Sequence, residues 1–271
     1  DDWPNCSNER LIDVSSKHAA IEQINRLFTG VVGAAAIAAV LGAFWRVPRR
    51  RDLTNLALLI AAGVVANAVL GGISVLVDLH PLAVQGHLLL SMALIVTGAV
   101  LVRRSGEPDG VPRRRVVSEP ARRLALALFV ATWVAVFTGT IVTGAGPHAG
   151  DENARRLDVD IETVARVHGA TVMATLVLAL VMAWWLRRDP DDGRALTPAL
   201  STWLFVGVLQ AAIGYVQYFN DVPALLVGVH IAGATALMFV TTQVVLDTTG
   251  PELRPGSDVA HREFSPRIAT G

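Results

Sequence analysis

Apolar residues run through the chain in seven long stretches, roughly at 24–46, 54–77, 82–102, 122–143, 162–186, 198–219 and 223–246. A helix crossing a bilayer takes about 20 such residues, and each stretch is long enough. The pattern predicts an all-α polytopic membrane protein with seven transmembrane helices present.

The polar segments between the stretches are of two kinds. Those at 46–52, 103–123 and 187–197 hold 14 Arg, and the 247–271 tail adds three more. The other side (1–26, 78–81, 144–166, 220–222) holds only Arg10, Lys17, Arg26, Arg155, Arg156 and Arg166. Positive residues stay on the cytoplasmic side, so the Arg-rich loops and the C-terminus are expected in the cytoplasm, with the N-terminus outside. Trp45, Trp184 and Trp185 fall at the cytoplasmic helix ends, where interfacial aromatics belong.

Rare polar positions recur at a spacing of 143 residues. Gly71 falls on Gly214, Asp78 on Asp221, His87 on His230 and Asn25 on His168. Ala68/Ala211, Leu82/Leu225, Val84/Val227 and Leu94/Leu237 follow the same shift. Each half thus reads as a helical bundle with equivalent polar positions. The stretch at 122–143 has no counterpart, because its partner would fall before residue 1. An external N-terminus without a signal peptide also lacks an export route. Both points lead to the expectation of two pseudo-repeated four-helix bundles whose first helix is missing from this chain. The division expected is an N-terminal half-bundle at 1–116, a C-terminal four-helix bundle at 117–247 and a cytoplasmic polar tail at 248–271.

Composition narrows the function. Of 271 residues, 52% are hydrophobic and 17% charged, against about 25% charged in a soluble domain. Mean hydropathy is +0.48. An ordinary soluble enzyme is excluded. The net charge of zero provides no field for nucleic acid, and the Arg runs read as topology signals and lipid-headgroup contacts. Cys6 is the single cysteine, which excludes an internal disulfide; a lone external Cys suggests a partner cysteine outside this chain. There is no phosphate-binding loop, dinucleotide glycine fingerprint, HExxH or nucleophile elbow.

Chemistry is left to intramembrane polar residues, which are costly and therefore functional candidates. His87, His168 and His230 each lie near the outer end of an apolar stretch. His168 and His230 are in the same half on different helices, in VARVHGATVM and LVGVHIAGAT. Two imidazoles facing each other across a four-helix bundle are an axial-ligand arrangement for a b-type heme. Gly169, Ala170, Gly228, Ala232 and Gly233 leave room for a flat macrocycle, as Gly214 and Gly71-Gly72 also could. Interhelical hydrogen bonding is the competing explanation for these His. In the first half His87 is opposed by Asn25, a poor iron ligand, so one iron face there would be open. Glu22 shares a helix face with Asn25 and is either a proton acceptor or an ordinary i,i+4 partner of Arg26. Arg26 and Arg166 sit at the outer ends of the ligand helices, as partners for heme propionates or as snorkelling side chains. His80, His148, Asp78 and Asp151 could contact propionates or carry protons, or serve only loop packing. His261 lies in the polar tail.

The segments TGAGPHAGD (143–151), GGISVLVDLHP (71–81) and DWPNC (2–6), with a His on the helix after each repeated Asp, resemble heme A synthase of the bacterial CtaA type along essentially the whole chain. The resemblance implies eight helices in two halves. It implies a heme b between His168 and His230, and a substrate site for heme O at His87 and the position of Asn25. The family's commoner Glu-x-x-His pattern is departed from here, since Glu22 is kept but Asn25 replaces the His. The resemblance also implies oxidation of a heme O methyl group to the formyl group of heme A. In that reading His87 anchors the substrate iron, Glu22 handles a proton or stabilises charge, and the His168/His230 heme relays electrons. The implied setting is the bacterial inner membrane, among membrane lipid, with heme O synthase and an electron acceptor as partners. The residues alone leave a quinone-linked b-type cytochrome, and a transporter, as alternatives.

Overall fold

A computed structural model describes residues 17–146 and 155–252, with the side chains of 17–22 outside the description. It contains α1 (Lys17–Trp45), α2 (Arg51–Leu76), α3 (Pro81–Ser105), α4 (Glu119–Ala145), α5 (Ile161–Leu186), α6 (Pro190–Phe219) and α7 (Ala224–Leu246). Two short strands, β1 (Arg113–Arg115) and β2 (Thr249–Pro251), pair antiparallel. All seven helices are long and apolar enough to span a membrane, so the fold is that of an all-α polytopic membrane protein. Large apolar side chains face outward along them, among them Leu27, Phe28, Phe205 and Leu225. In water such a surface would associate; in hydrocarbon it is the solvated face.

Helices α4 to α7 close a ring, α4 against α5, α5 against α6, α6 against α7 and α7 back on α4. The order around the ring puts α5 diagonally across from α7. Helices α1 to α3 form a chain, α1 packing on α2 and α2 on α3, and α3 joins the ring through α7 and α4. The ring is pinned below its middle by Trp203 of α6, which is buried and donates from Nε1 to the Thr241 hydroxyl of α7 at 2.7 Å. Thr241 in turn lies 3.4 Å from the Thr132 hydroxyl of α4. Leu128, Met182, Leu196, Leu200 and Val244 fill the space around them.

The sixth span starts earlier than the apolar run that announces it. Residues 190–197 are polar, but Asp189 caps them by accepting from the Asp191 and Asp192 amides, and Pro190 occupies the first turn, where its missing N–H is harmless. The helix continues through Pro198. Asp192 is buried and accepts from the Ser118 amide at 2.7 Å and the Ser118 hydroxyl at 2.5 Å, which ties the start of α6 to the start of α4. The arginines of this side do more than mark topology. Arg50 binds Asp52 at 2.8 Å and the Glu107 carbonyl at 3.0 Å, and the Asp52 carboxylate holds its guanidinium above the usual range. Arg46 pairs with Asp109 at 2.8 Å, Arg103 with Asp247, and Arg113 with Glu107.

Candidate functional site

The α2–α3 and α6–α7 turns repeat in atomic detail. At α2–α3, Asp78 and Leu79 take φ of 52° and 54°; at α6–α7, Asp221 and Val222 take 54° and 55°. The Leu79 amide bonds the Ser74 carbonyl at 2.8 Å, and the Val222 amide bonds the Gln217 carbonyl, 143 residues on, at 2.9 Å. Asp tolerates the left-handed region better than most residues, which gives Asp78 and Asp221 a backbone reason to be there. These turns launch α3 and α7 so that His87 and His230 each arrive six residues into their helix, and His168 lies seven residues into α5. At about 1.5 Å per residue, all three stand about 10 Å in from the N-terminal ends of their helices.

Each of the three rings lies against a glycine of the preceding helix. A Cβ on Gly71 would come within 3.1 Å of the His87 ring, one on Gly139 within 3.1 Å of His168, and one on Gly214 within 3.4 Å of His230. The glycines form slots that any side chain would fill.

The slots also fix ring chemistry. His87 Nδ1 is 3.0 Å from the Asn67 carbonyl. A carbonyl only accepts, so Nδ1 carries the proton and the lone pair is on Nε2. His168 Nδ1 is 3.1 Å from the Thr138 hydroxyl. That hydroxyl also lies 3.0 Å from the Val134 and Ala135 carbonyls and from the Thr171 hydroxyl; with its proton on a carbonyl it accepts from Nδ1 and leaves the lone pair on Nε2. A hydrogen bond at the far ring nitrogen is what orients imidazole metal ligands. His230 differs, since its Nδ1 is buried with no hydrogen-bond partner. Among the described residues no group of three or more His, Cys, Asp and Glu is placed to cage a bare metal ion.

The remaining candidates are scattered. Asn25 is on the exposed face of α1, where its carbonyl accepts from Thr29, and it is not brought onto α3 beside His87. Arg26 is half-buried. Glu22 lies in α1 with its side chain outside the description, and Cys6, His148, Asp151 and His261 lie outside the described residues. Arg166 is exposed, turned away from His168, and pairs with Glu162 one turn earlier. His80 caps α3, its Nδ1 accepting from the Leu82 amide at 3.3 Å. It lines a cleft of about 510 Å³ together with Asp78 and Arg155.

Sequence reading missed the residues that bond or pack against the three histidines: Asn67, Ser91, Thr138, Gly139 and Gln210. A signal for one pair exists, because Asn67 and Gln210 are 143 apart and both are amides in apolar helices. It is hidden when the repeat is scored by identity.

A profile of the family described as cytochrome oxidase assembly protein, COX15-CtaA, matches residues 8–242. Curated relatives share the match. A protein of Listeria welshimeri named heme A synthase is 26% identical over 231 residues, covering 81% of this chain and 75% of its own length. Proteins of the same name from Listeria monocytogenes and Halalkalibacterium halodurans are 25% identical, over 231 and 199 residues, covering 81% and 69% of this chain and 75% and 65% of their own lengths.

Proposed function

Because the chain belongs to the cytochrome oxidase assembly family COX15-CtaA, we propose that it is an enzyme of heme A biosynthesis that oxidises a methyl group of heme O to the formyl group of heme A. The observation that carries this reading is the placement of His168 and His230 on diagonally opposed helices of a closed ring, each ring in a glycine slot. The name shared by the relatives supplies the substrate class.

The residues fit a tetrapyrrole. With the Thr138 proton on a carbonyl, His168 is in the tautomer that offers Nε2, and Gly139 and Gly214 keep the flanks of both imidazoles free of side chains. His168 and His230 would hold a resident heme b, which supplies one-electron transfer when bound. The substrate site belongs to the first half. His87, with its proton fixed on Nδ1 by the Asn67 carbonyl, offers Nε2 to the iron of heme O. Glu22, at the outer start of α1, holds or takes a proton as the methyl group loses hydrogen over two hydroxylations and a dehydration. Arg26, one turn on from Glu22, offers a cation to the substrate carboxylates. The apolar helices take the farnesyl tail and keep water from the reacting carbon. Under this reading residues 1–116 are the substrate half, 117–247 the heme b half and 248–271 a cytoplasmic tail. The protein sits in the bacterial inner membrane with its C-terminus inside, and draws heme O from a heme O synthase while passing electrons to a separate acceptor.

The test is to express the full chain with a source of heme O and to extract hemes. Wild type is expected to yield heme A. His87→Ala and Glu22→Gln are expected to leave heme O unconverted while the heme b spectrum persists. Heme b without any heme A in wild type would instead identify an electron-transfer cytochrome.

A further inference from the structure

One repeat position carries an amide in both halves, buried at Gln210 and half-buried at Asn67, and its geometry is more specific than helix packing requires. In the second half Gln210 of α6 is 7% exposed, and its Nε2 donates to the main-chain carbonyl of His230 at 2.7 Å. Gly233 makes room for it, since a Cβ there would collide with the amide. In the first half the equivalent Asn67 is one carbon shorter. Its Nδ2 donates to the Ser91 hydroxyl at 2.9 Å, and Ser91 donates to the main-chain carbonyl of His87 at 2.8 Å. The position equivalent to Ser91 in the second half is Ala234, which has no hydroxyl to pass the bond on. A long amide acting directly and a short amide acting through serine end on the same atom, the main-chain carbonyl oxygen, of the two equivalent histidines.

We propose that Gln210 and Asn67 are positioning residues that tie the carbonyl of the ligand histidine to the neighbouring helix and so set the angle at which its imidazole meets a tetrapyrrole iron. This rests on the heme reading above.

Holding two helices together does not explain the amide. Its oxygen is left over in both halves, since Gln210 Oε1 and Asn67 Oδ1 are buried with no hydrogen-bond partner. An unpaired amide oxygen in an apolar span is unfavourable, and a leucine would pack there without that penalty. The two halves also differ in what else holds the ring. His87 is secured at Nδ1 by the Asn67 carbonyl, whereas His230 Nδ1 has no partner. The Gln210 bond to its carbonyl and the Gly214 slot are the restraints seen on His230, so the second half depends more on its amide.

The experiment uses the full-length protein purified with its heme. Electron paramagnetic resonance and the visible spectrum report whether the iron keeps two well-aligned imidazoles. Gln210→Leu and Gln210→Asn are each expected to lose that low-spin signature and to retain heme about tenfold less well, a typical second-shell effect. The double variant Gln210→Asn with Ala234→Ser rebuilds the Asn67–Ser91 arrangement and is expected to restore both readouts. Should Gln210→Leu fail to fold, the comparison of Gln210→Asn with the double variant decides. An unaltered signature in Gln210→Asn, or no recovery in the double variant, overturns the proposal. A wild-type protein lacking any two-imidazole signature overturns the heme reading itself and this proposal with it; a normal wild type with indifferent variants removes only the proposal.

Discussion

Gly139 shows how narrowly the site is specified. A Cβ there would sit 3.1 Å from the Cε1 of His168, closer than ordinary packing allows, and the neighbouring Thr138 hydroxyl holds the ring at Nδ1 at 3.1 Å. Gly139→Ala is therefore expected to turn the imidazole off its axis and weaken heme retention by about 10- to 100-fold. Heme loss to apomyoglobin, followed at the Soret band, measures it; an unchanged rate would show that the slot is only a packing gap. The histidines themselves were legible because intramembrane imidazoles are rare. Gly71 and Gly214 could be read as a repeated pair and as room for a macrocycle, but not as slots for imidazoles, and Gly139 carries no signal until a ring is seen beside it. Arg166 was legible only as a cation near a ligand helix; its exposure and its pairing with Glu162 follow from helix phase, which places it on the face away from His168.

Helix ends show the same division at the next scale. Seven spans could be read from apolar runs, but the true start of α6 could not, since Asp189, Pro190 and the buried Asp192 are capping and tertiary signals inside a polar segment. Strands β1 and β2 are too short, and too far apart in sequence, to show any periodicity. Removing the Asp192 carboxylate in Asp192→Ala leaves the Ser118 amide and hydroxyl without their acceptor. The expected loss is about 1–3 kcal/mol, read as a lower thermal midpoint in detergent, and an unchanged midpoint would contradict it. The outer end of α5 makes a pH prediction. Asp160 caps it by accepting from the Thr163 hydroxyl and amide at 2.6 and 2.8 Å, and the hydroxyl is the main reason its carboxyl is held below the ordinary value. A lowered folded pKa means the contribution is complete above the unfolded value, about 3.9, and is lost as pH falls through the folded one. Exchange of the Thr163 amide, corrected for its intrinsic pH dependence, should stay slow at neutral pH and rise only below about pH 4. A rise already at pH 6 would contradict the assignment.

For the whole molecule the governing fact is the repeat. Its polar identities could be read at a spacing of 143, and the structure extends it to matched turns at Asp78 and Asp221, matched glycine slots and matched amides. What sequence could not supply is how the halves meet. That depends on α3 lying against α7 and α4, with Gln85 donating to Thr140 at 2.6 Å, and Gln85 has Gly228 as its repeat partner. At the repeat position where α5 carries His168, α1 carries Asn25 on its exposed face, and the proposed function assigns the permanent heme to the second half and the substrate to the first on that difference.

The most direct measurement is the spectrum of the purified full chain beside His168→Ala and His230→Ala. The account predicts a low-spin heme b with two imidazole ligands in wild type, and loss of that signature in each variant. A colourless wild type prepared with ample heme, or the same two-imidazole spectrum in either variant, would contradict it.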